Sequence, residues 1–218
     1  MLPLIFMLAT IAPPTPAAPA DGTYTYVSSL NGAPIGKTAI TVRRDAAGIV
    51  LSEQGSGTFN GQQGVVKDTL TLETSQLSPT AYNVAANVDG RPVSMGLSFK
   101  GADAYQTGDL QKTYDLVENA KHFVVLDFGP FSGWFALPSQ MQAWNGAPAV
   151  AIVPAMQYGI TIAPDAALPA DHPKTVPSAD TALNVTSPMP FTLWYDPKTM
   201  VVDLLAFPTQ GITVTRQP

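Results

Sequence analysis

Hydrophobic and polar residues alternate with a period of two along much of this chain, and short runs of turn-forming residues cut the alternation into segments. The longest stretch places Tyr82, Val84, Ala86 and Val88 on one face, turns at Asp89-Gly90, and returns with Val93, Met95, Leu97 and Phe99. Period-two alternation lays each apolar set on one side of a sheet, and Asp-Gly supplies the positive φ angles that a two-residue turn needs. A β-hairpin is predicted there. Tyr24, Tyr26 and Ser28 alternate before Asn31-Gly32, with Thr38, Ile40 and Val42 alternating after it, and Ile49 to Ser52 forms a third strand behind the turn at 45–48. Leu70 and Leu72 mark a fourth strand that stops before Ser78-Pro79. Between these lies Gly55 to Gly64, read as a loose glycine-rich connection or a bulged edge strand.

Further on, Asp103 to Asp109 is polar and reads as a loop, Tyr114 to Val117 as a short strand, and His122 to Phe128 as a buried strand. The period then changes. Phe131, Trp134, Phe135, Met141 and Trp144 recur at helical spacing around Pro138, which predicts two short helical turns within 131–144, the second starting near the proline. Ala149 to Val153, Tyr158 to Ile162 and Thr181 to Val185 read as strands. The segment 163–178 carries Pro164, Pro169, Pro173 and Pro177 and is expected to be an exposed, extended loop. Phe191, Leu193 and Tyr195, the turn Asp196-Pro197-Lys198-Thr199, and Met200 to Phe207 form a closing hairpin, followed by a last strand through Ile212 and Val214. No repeat of constant period is present, which argues against a propeller or solenoid.

Composition agrees with an all-β chain. Twenty-one prolines and seventeen glycines among 218 residues suit many short strands, and 45% hydrophobic with 12% charged residues supplies enough apolar surface for one full core. The formal charge is −5, and the eleven Lys and Arg never cluster, which argues against nucleic acid and against an anionic membrane surface as partners. There is no cysteine, so disulfides, thiolate metal sites, a cysteine nucleophile and a lipidated cysteine are all excluded.

Met1 to Ala12 is an apolar run, followed by small residues and prolines up to Ala20. That matches the hydrophobic region and cleavage site of a secretory signal and falls short of the ~20 residues that span a bilayer. Its departure from the usual pattern is that no Lys or Arg precedes Lys37. The expected organisation is a signal peptide over 1–20, cleaved after Ala18 or Ala20, with a retained anchor or a packed N-terminal strand as the alternatives, and one β domain over 21–218 with no transmembrane span in the mature chain, located in the periplasm or secreted.

Three sets of residues carry a family likeness. Tyr24-Thr25-Tyr26 with Asn31-Gly32 and Ile35-Gly36, then Leu77-Ser78-Pro79-Thr80-Ala81-Tyr82, then the Tyr195-Asp196-Pro197 hairpin together resemble exported bacterial DUF3108-like domains, which are similar in shape to lipoprotein-carrier proteins. The resemblance implies a strongly curved antiparallel sheet, an incomplete β-barrel, with helical turns against the concave face. It brings no catalytic residues, and the chain lacks the lipid-attachment cysteine of lipidated relatives.

Catalytic patterns are mostly absent. Gln54-Gly55-Ser56-Gly57 lacks the first glycine of a nucleophile elbow, and Asp68-Thr69-Leu70 and Asp180-Thr181-Ala182 lack the glycine of a paired-aspartate protease. His122 and His172 lie far apart and read as a strand-end and an exposed loop residue, short of the three or four converging ligands a metal requires. Asp127 and Asp203 sit among hydrophobic residues, where a carboxyl can be perturbed, although strand ends and solvated faces hold such residues more often. Asn184-Val185-Thr186 fits a glycosylation sequon but reads as strand, and Gly55, Gly57, Gly61 and Gly64 lack the lysine and helix of a phosphate loop. No cofactor, metal or catalytic residue is predicted.

What remains is the aromatic segment Phe128, Phe131, Trp134, Phe135, Met141 and Trp144. Its residues either line a cavity as a lid over a hydrophobic or amphipathic ligand, with Phe131, Trp134, Phe135, Met141 and Trp144 as the contacts, or fill the concavity as ordinary core. The leading functional expectation is a non-enzymatic envelope protein that binds such a molecule. A structural or protein-interaction module, meeting partners at an edge strand or the proline-rich loop, is the alternative, and a hydrolase without a motif is the third.

Overall fold

The computed structural model describes residues 16–59, 61–100, 103–109, 111–115, 122–127, 129–169 and 171–218. The hairpin that dominates the sequence pattern is formed by β5 (Pro79–Val88) and β6 (Arg91–Lys100), with Val88 opposite Arg91. Asp89 and Gly90 have φ of 49° and 80°, the paired positive values of a tight turn whose twist matches that of the strands. Burial follows the alternation at the base, where Tyr82, Val84, Met95 and Leu97 are buried, and stops at the tip, where Val88 is 37% exposed. The hairpin is therefore longer than the core it covers.

Hairpins of this kind run on in chain order. β1 (Gly22–Leu30), β2 (Ala33–Asp45), β3 (Gly48–Phe59) and β4 (Gln62–Leu72) precede β5, and β7 (Asp103–Gly108) and β8 (Lys112–Asp115) follow β6. β9 (Phe123–Val125), α1 (Ser132–Ala143), β10 (Ala149–Val153) and β11 (Tyr158–Ile162) come next, then β12 (Thr181–Val185), β13 (Phe191–Tyr195), β14 (Val202–Phe207) and β15 (Ile212–Arg216). Twelve strands form one antiparallel sheet in the order β12-β13-β14-β15-β1-β2-β3-β4-β5-β6-β7-β8. Among the described residues, the only pairing in it between strands distant in sequence is β1 with β15, Tyr26 opposite Arg216. The sheet is strongly curved and open: β8 and β12 are its edges, and it is not closed into a barrel. The fold is all-β and mainly antiparallel, as the pattern predicts.

The segment between the two edges turns inward. β9 pairs with β10 in parallel and β10 with β11 antiparallel, giving a small second sheet, and α1 touches β9, β3, β4 and β14. One apolar core joins the two layers, from Ile40, Leu51, Leu70 and Tyr82 on the large sheet to Val124, Phe135, Leu137 and Ile152 on the inserted segment.

Several local expectations are corrected. Gly55 to Gly64 is no loose connection, because β3 continues to Phe59 and β4 starts at Gln62 in unbroken register. Asp103 to Asp109 contains a strand, β7, whose inward residues are Ala104 and the polar Gln106, so the polar character that suggests a loop comes partly from a buried side chain. The strand predicted over Tyr114 to Val117 is Lys112–Asp115, with Leu116 and Val117 outside the described residues. That over His122 to Phe128 is only Phe123–Val125, with Phe128 outside them too. The segment around Pro138 is one continuous helix, not two turns. Proline removes one donor from the helical ladder, but burial of ten of the twelve helix residues holds the helix together across it. Among its described residues the proline-rich 163–178 has no helix or strand, and its Val176 is buried against Trp194 and Leu204 on the sheet's outer face.

Candidate functional site

Helix α1 sits in the concavity of the large sheet and is buried on nearly every side. A glycine decides how closely it lies: a Cβ at Gly133 would stand 1.8 Å from the Val125 carbonyl oxygen, so only glycine lets the first turn rest on β9. The five residues expected to contact a ligand are all packed into this seam. Phe131 stacks obliquely on Tyr26 at 4.9 Å, and Phe135 lies 5.4 Å from Tyr24 and 6.1 Å from Tyr26. Trp134 meets Phe191 at 5.2 Å and Phe207 at 5.0 Å, edge to face, while its Nε1 donates to the Asp127 carbonyl at 2.8 Å. Trp144 stacks on His122 at 4.5 Å and donates from Nε1 to the Gln76 carbonyl at 2.7 Å. None of the five, Met141 included, is more than 4% exposed. Each indole thus has its N–H satisfied and its faces covered, as buried aromatics require.

Beneath the first turn of α1 lies a polar cluster that the hydrophobic pattern conceals. Glu53 on β3 and Asp68 on β4 are direct register partners, two residues beyond the buried pair Leu51 and Leu70 on the same face. Both point inward and are buried, at 4% and 3% exposure. Glu53 Oε2 accepts the backbone N–H groups of Phe131 and Ser132, the latter at 2.8 Å, and Glu53 Oε1 accepts the Thr38 hydroxyl at 2.7 Å. The Ser132 hydroxyl donates to Asp68 Oδ2. Free amides at a helix start favour an acceptor and negative charge, so Glu53 caps α1 from a strand distant in sequence.

Burial pushes the Asp68 carboxyl up to about 9, and the adjacent Glu53 charge pushes the same way. Burial also raises Glu53, against the opposing effect of its hydrogen bonds from Asp68, Thr38, Phe131 and Ser132. Burial thus raises both carboxyls of the pair, which favours a proton held between them. Tyr82 and Asp127 complete the cluster: the Tyr82 hydroxyl donates to Asp127 Oδ2 at 3.3 Å and the Ala155 N–H to Asp127 Oδ1 at 3.2 Å. Burial, then Asp127, raises the Tyr82 phenol well above its ordinary value. Asp127 lies just past the end of β9, one of the two settings expected, but buried as a partner of the inserted segment, whereas Asp203 is an ion-pair residue, 3.1 Å from Arg216.

The remaining candidates stay apart from this cluster. His172 lies on the outer face, 4.5 Å from the Trp194 ring. Among the described residues, no group of three or more His, Asp or Glu side chains is placed to hold a metal ion. A groove of about 480 Å³, by contrast, is lined by Lys67, Thr69, Asn83, Ser94 and Thr107 together with Asp68 of this cluster, and by none of the five aromatic-segment residues. Sequence reasoning passed over Glu53 and met Asp68 only in an incomplete protease motif. Their signal is phase: Glu53 continues the buried positions Ile49 and Leu51 on β3, and Asp68 those of Leu70 and Leu72 on β4.

No family model matches the chain, and no curated protein matches it. Its likeness is to solved structures. One is a DUF1089 family protein from Pseudomonas aeruginosa, 8% identical with a TM-score of 0.51, covering 81% of this chain and 90% of that one. Another is a β-barrel-like protein of domain of unknown function DUF1849 from Brucella abortus, 8% identical with a TM-score of 0.52, covering 94% of this chain and 97% of that one. At such identity the likeness is one of fold. It supports the β-barrel-like half of the DUF3108-like expectation, whose family-level half has no matching model.

Proposed function

We propose that this chain is an exported, non-enzymatic bacterial envelope protein that takes up a hydrophobic or amphipathic molecule on the concave face of its half-barrel, in the volume that α1 fills. The observation that carries this reading is how that face is covered. An open sheet of twelve strands presents an apolar inner surface, and an inserted helix with its flanking strands covers it in place of sheet closure. The cover is imperfect: among the described residues, Ser139 Oγ and Gln140 Oε1 on the helix are buried without a partner. Buried polar groups left unpaired cost about 1–3 kcal/mol each, so a ligand competes against a helix whose own seat is compromised. Export is supported by the apolar run from Met1 to Ala12 and the small residues after it.

Complete burial of Phe131, Trp134, Phe135, Met141 and Trp144 favours a second reading, an envelope scaffold whose concavity is permanently filled. Solvent extraction and mass spectrometry of the purified mature protein, followed by titration with a long-chain amphiphile below its micellar concentration, separate the two. The binding reading expects a retained lipid-like molecule or a saturable shift in indole emission. A protein that carries nothing and shows no saturable shift is a scaffold.

A further inference from the structure

The Glu53 and Asp68 carboxyls join two parts of the molecule that no backbone ladder connects: the first turn of α1 and the middle of the large sheet. We propose that α1 is a proton-latched plug, held in the concave face while this carboxyl pair shares a proton and released at its N-terminal end when the proton leaves.

The geometry sets what charge the site tolerates. Two amides and the positive end of a helix dipole match one negative charge, which Glu53 supplies. A second has no counterpart. From β2 the pair faces Thr38, a neutral hydroxyl; from α1 it faces Phe131 and Ser132; from β5 and the second residue beyond β9 it is approached by Tyr82 and by Asp127, which adds negative charge. Lys67, the neighbour of Asp68 in sequence, is on the outer face. Asp68 Oδ1 is buried and accepts no hydrogen bond, so it is free to carry a proton. Loss of that proton leaves two carboxylates directly opposite each other in a buried register pair, an arrangement that is strongly destabilising without hydration.

Hydration from the concave side requires parting the helix from the sheet, since β3 and β4 are paired from Ile49 and Leu72 to Phe59 and Gln62. The first turn of α1 has no such ladder and yields first, exposing Phe131, Trp134 and Phe135 while the sheet persists. This inference goes beyond the ligand-binding reading and stands equally for a scaffold.

The test is a titration of the whole protein from neutral pH to just below ordinary tyrosine ionisation near pH ~10, following indole emission, binding of the dye 1-anilinonaphthalene-8-sulfonate and far-ultraviolet circular dichroism together. Wild type is expected to show a reversible red shift and a several-fold rise in dye fluorescence near the Asp68 titration, at about pH 9, with the sheet signal retained. Asp68→Asn keeps the acceptor for Ser132 and supplies the donor to Glu53 permanently, so it abolishes the alkaline transition. Should that variant not fold, Glu53→Gln also removes the second charge and serves the same comparison. An alkaline transition of unchanged midpoint and amplitude in the neutralised variant, or a wild type that changes only when the sheet unfolds, overturns the latch.

Discussion

Gly133 shows how much can turn on one residue. Its missing side chain lets α1 meet the Val125 carbonyl, and a Cβ there would stand 1.8 Å from that oxygen, far inside contact distance. Because the obstruction is backbone, Gly133→Ala is expected to cost ~3 kcal/mol or more, at or above the upper end of ordinary overpacking, read as a lower denaturant midpoint. Charge acts at the same scale. Burial and the neighbouring Asp203 raise Asp180 to about 7. A carboxyl raised in the folded state contributes stability in acid that is lost as pH climbs from its unfolded value near ~4 to its folded one. Denaturation midpoints of the wild type should therefore fall between pH ~4 and about 7 as the Asp180 pair ionises, and fall further towards about 9 through Asp68. Asp180→Asn should make the fall between pH ~4 and about 7 shallower, leaving there the part due to Asp68, and should not alter the fall from about 7 to about 9. A curve unchanged by that substitution would place the acid-side dependence elsewhere. None of this was legible from residue type alone, since Glu53, Asp68 and Asp180 look like any surface carboxylates until strand register brings partners beside them.

Strands and turns were far more legible, because a turn's chemistry is local. Asp89-Gly90 and Asn31-Gly32 both adopt paired positive φ angles, 49° and 80° in the first and 50° and 81° in the second. Gly90→Val forces a β-branched residue into that region and should cost about 1 kcal/mol or more, measured as a lowered denaturant midpoint. An unchanged midpoint would mean that the hairpin tip, where Val88 is already exposed, contributes nothing to stability. The failures of the pattern were those of neighbours unseen. Glycines 55, 57 and 64 weaken any local strand signal, yet β3 and β4 are strands because β2 and β5 pair with them on either side. Gln106 broke the alternation of β7, but its amide reaches the Pro154 carbonyl at 3.2 Å and its oxygen accepts the Tyr114 hydroxyl, so a polar residue occupies an apolar position at little cost. Pro138 predicted a break that burial of the surrounding helix overrides.

For the molecule as a whole, everything depends on where the chain order is spliced. Strands β2 to β8 and β12 to β15 each form simple meanders, and the pairing of β1 with β15 makes them one sheet. Deleting residues 212–216 should therefore separate β12–β14 from the rest, strip one wall from Trp134 at Phe191 and Phe207, and leave no cooperative transition by circular dichroism. A folded, cooperative deletion variant would show that the first eleven strands and α1 are self-sufficient. The aromatic cluster itself was found in the sequence. That it lies against a carboxyl pair was not, because Glu53 and Asp68 reach Phe131 and Ser132 only after the chain has folded back across the sheet.

The same splice sets the tempo of folding. β1 must wait for β15, and until Tyr26 meets Arg216 and Asn31 meets Gly211 one of its two edges stays open. Contacts closed over such a separation carry a large loop entropy and are slow to form, whereas the hairpins from β2 to β8 are local and fast. The early meander is thus a curved, apolar-faced sheet with its inner surface bare and an edge strand unpaired, the state in which a β-protein aggregates most readily. Docking of the inserted segment shields the inner surface, and β15 then pairs with the open edge of β1. The step that limits refolding should be this last pairing, so substitutions at the β1–β15 seam will slow the recovery of the native state more than equally destabilising ones in the β5–β6 hairpin.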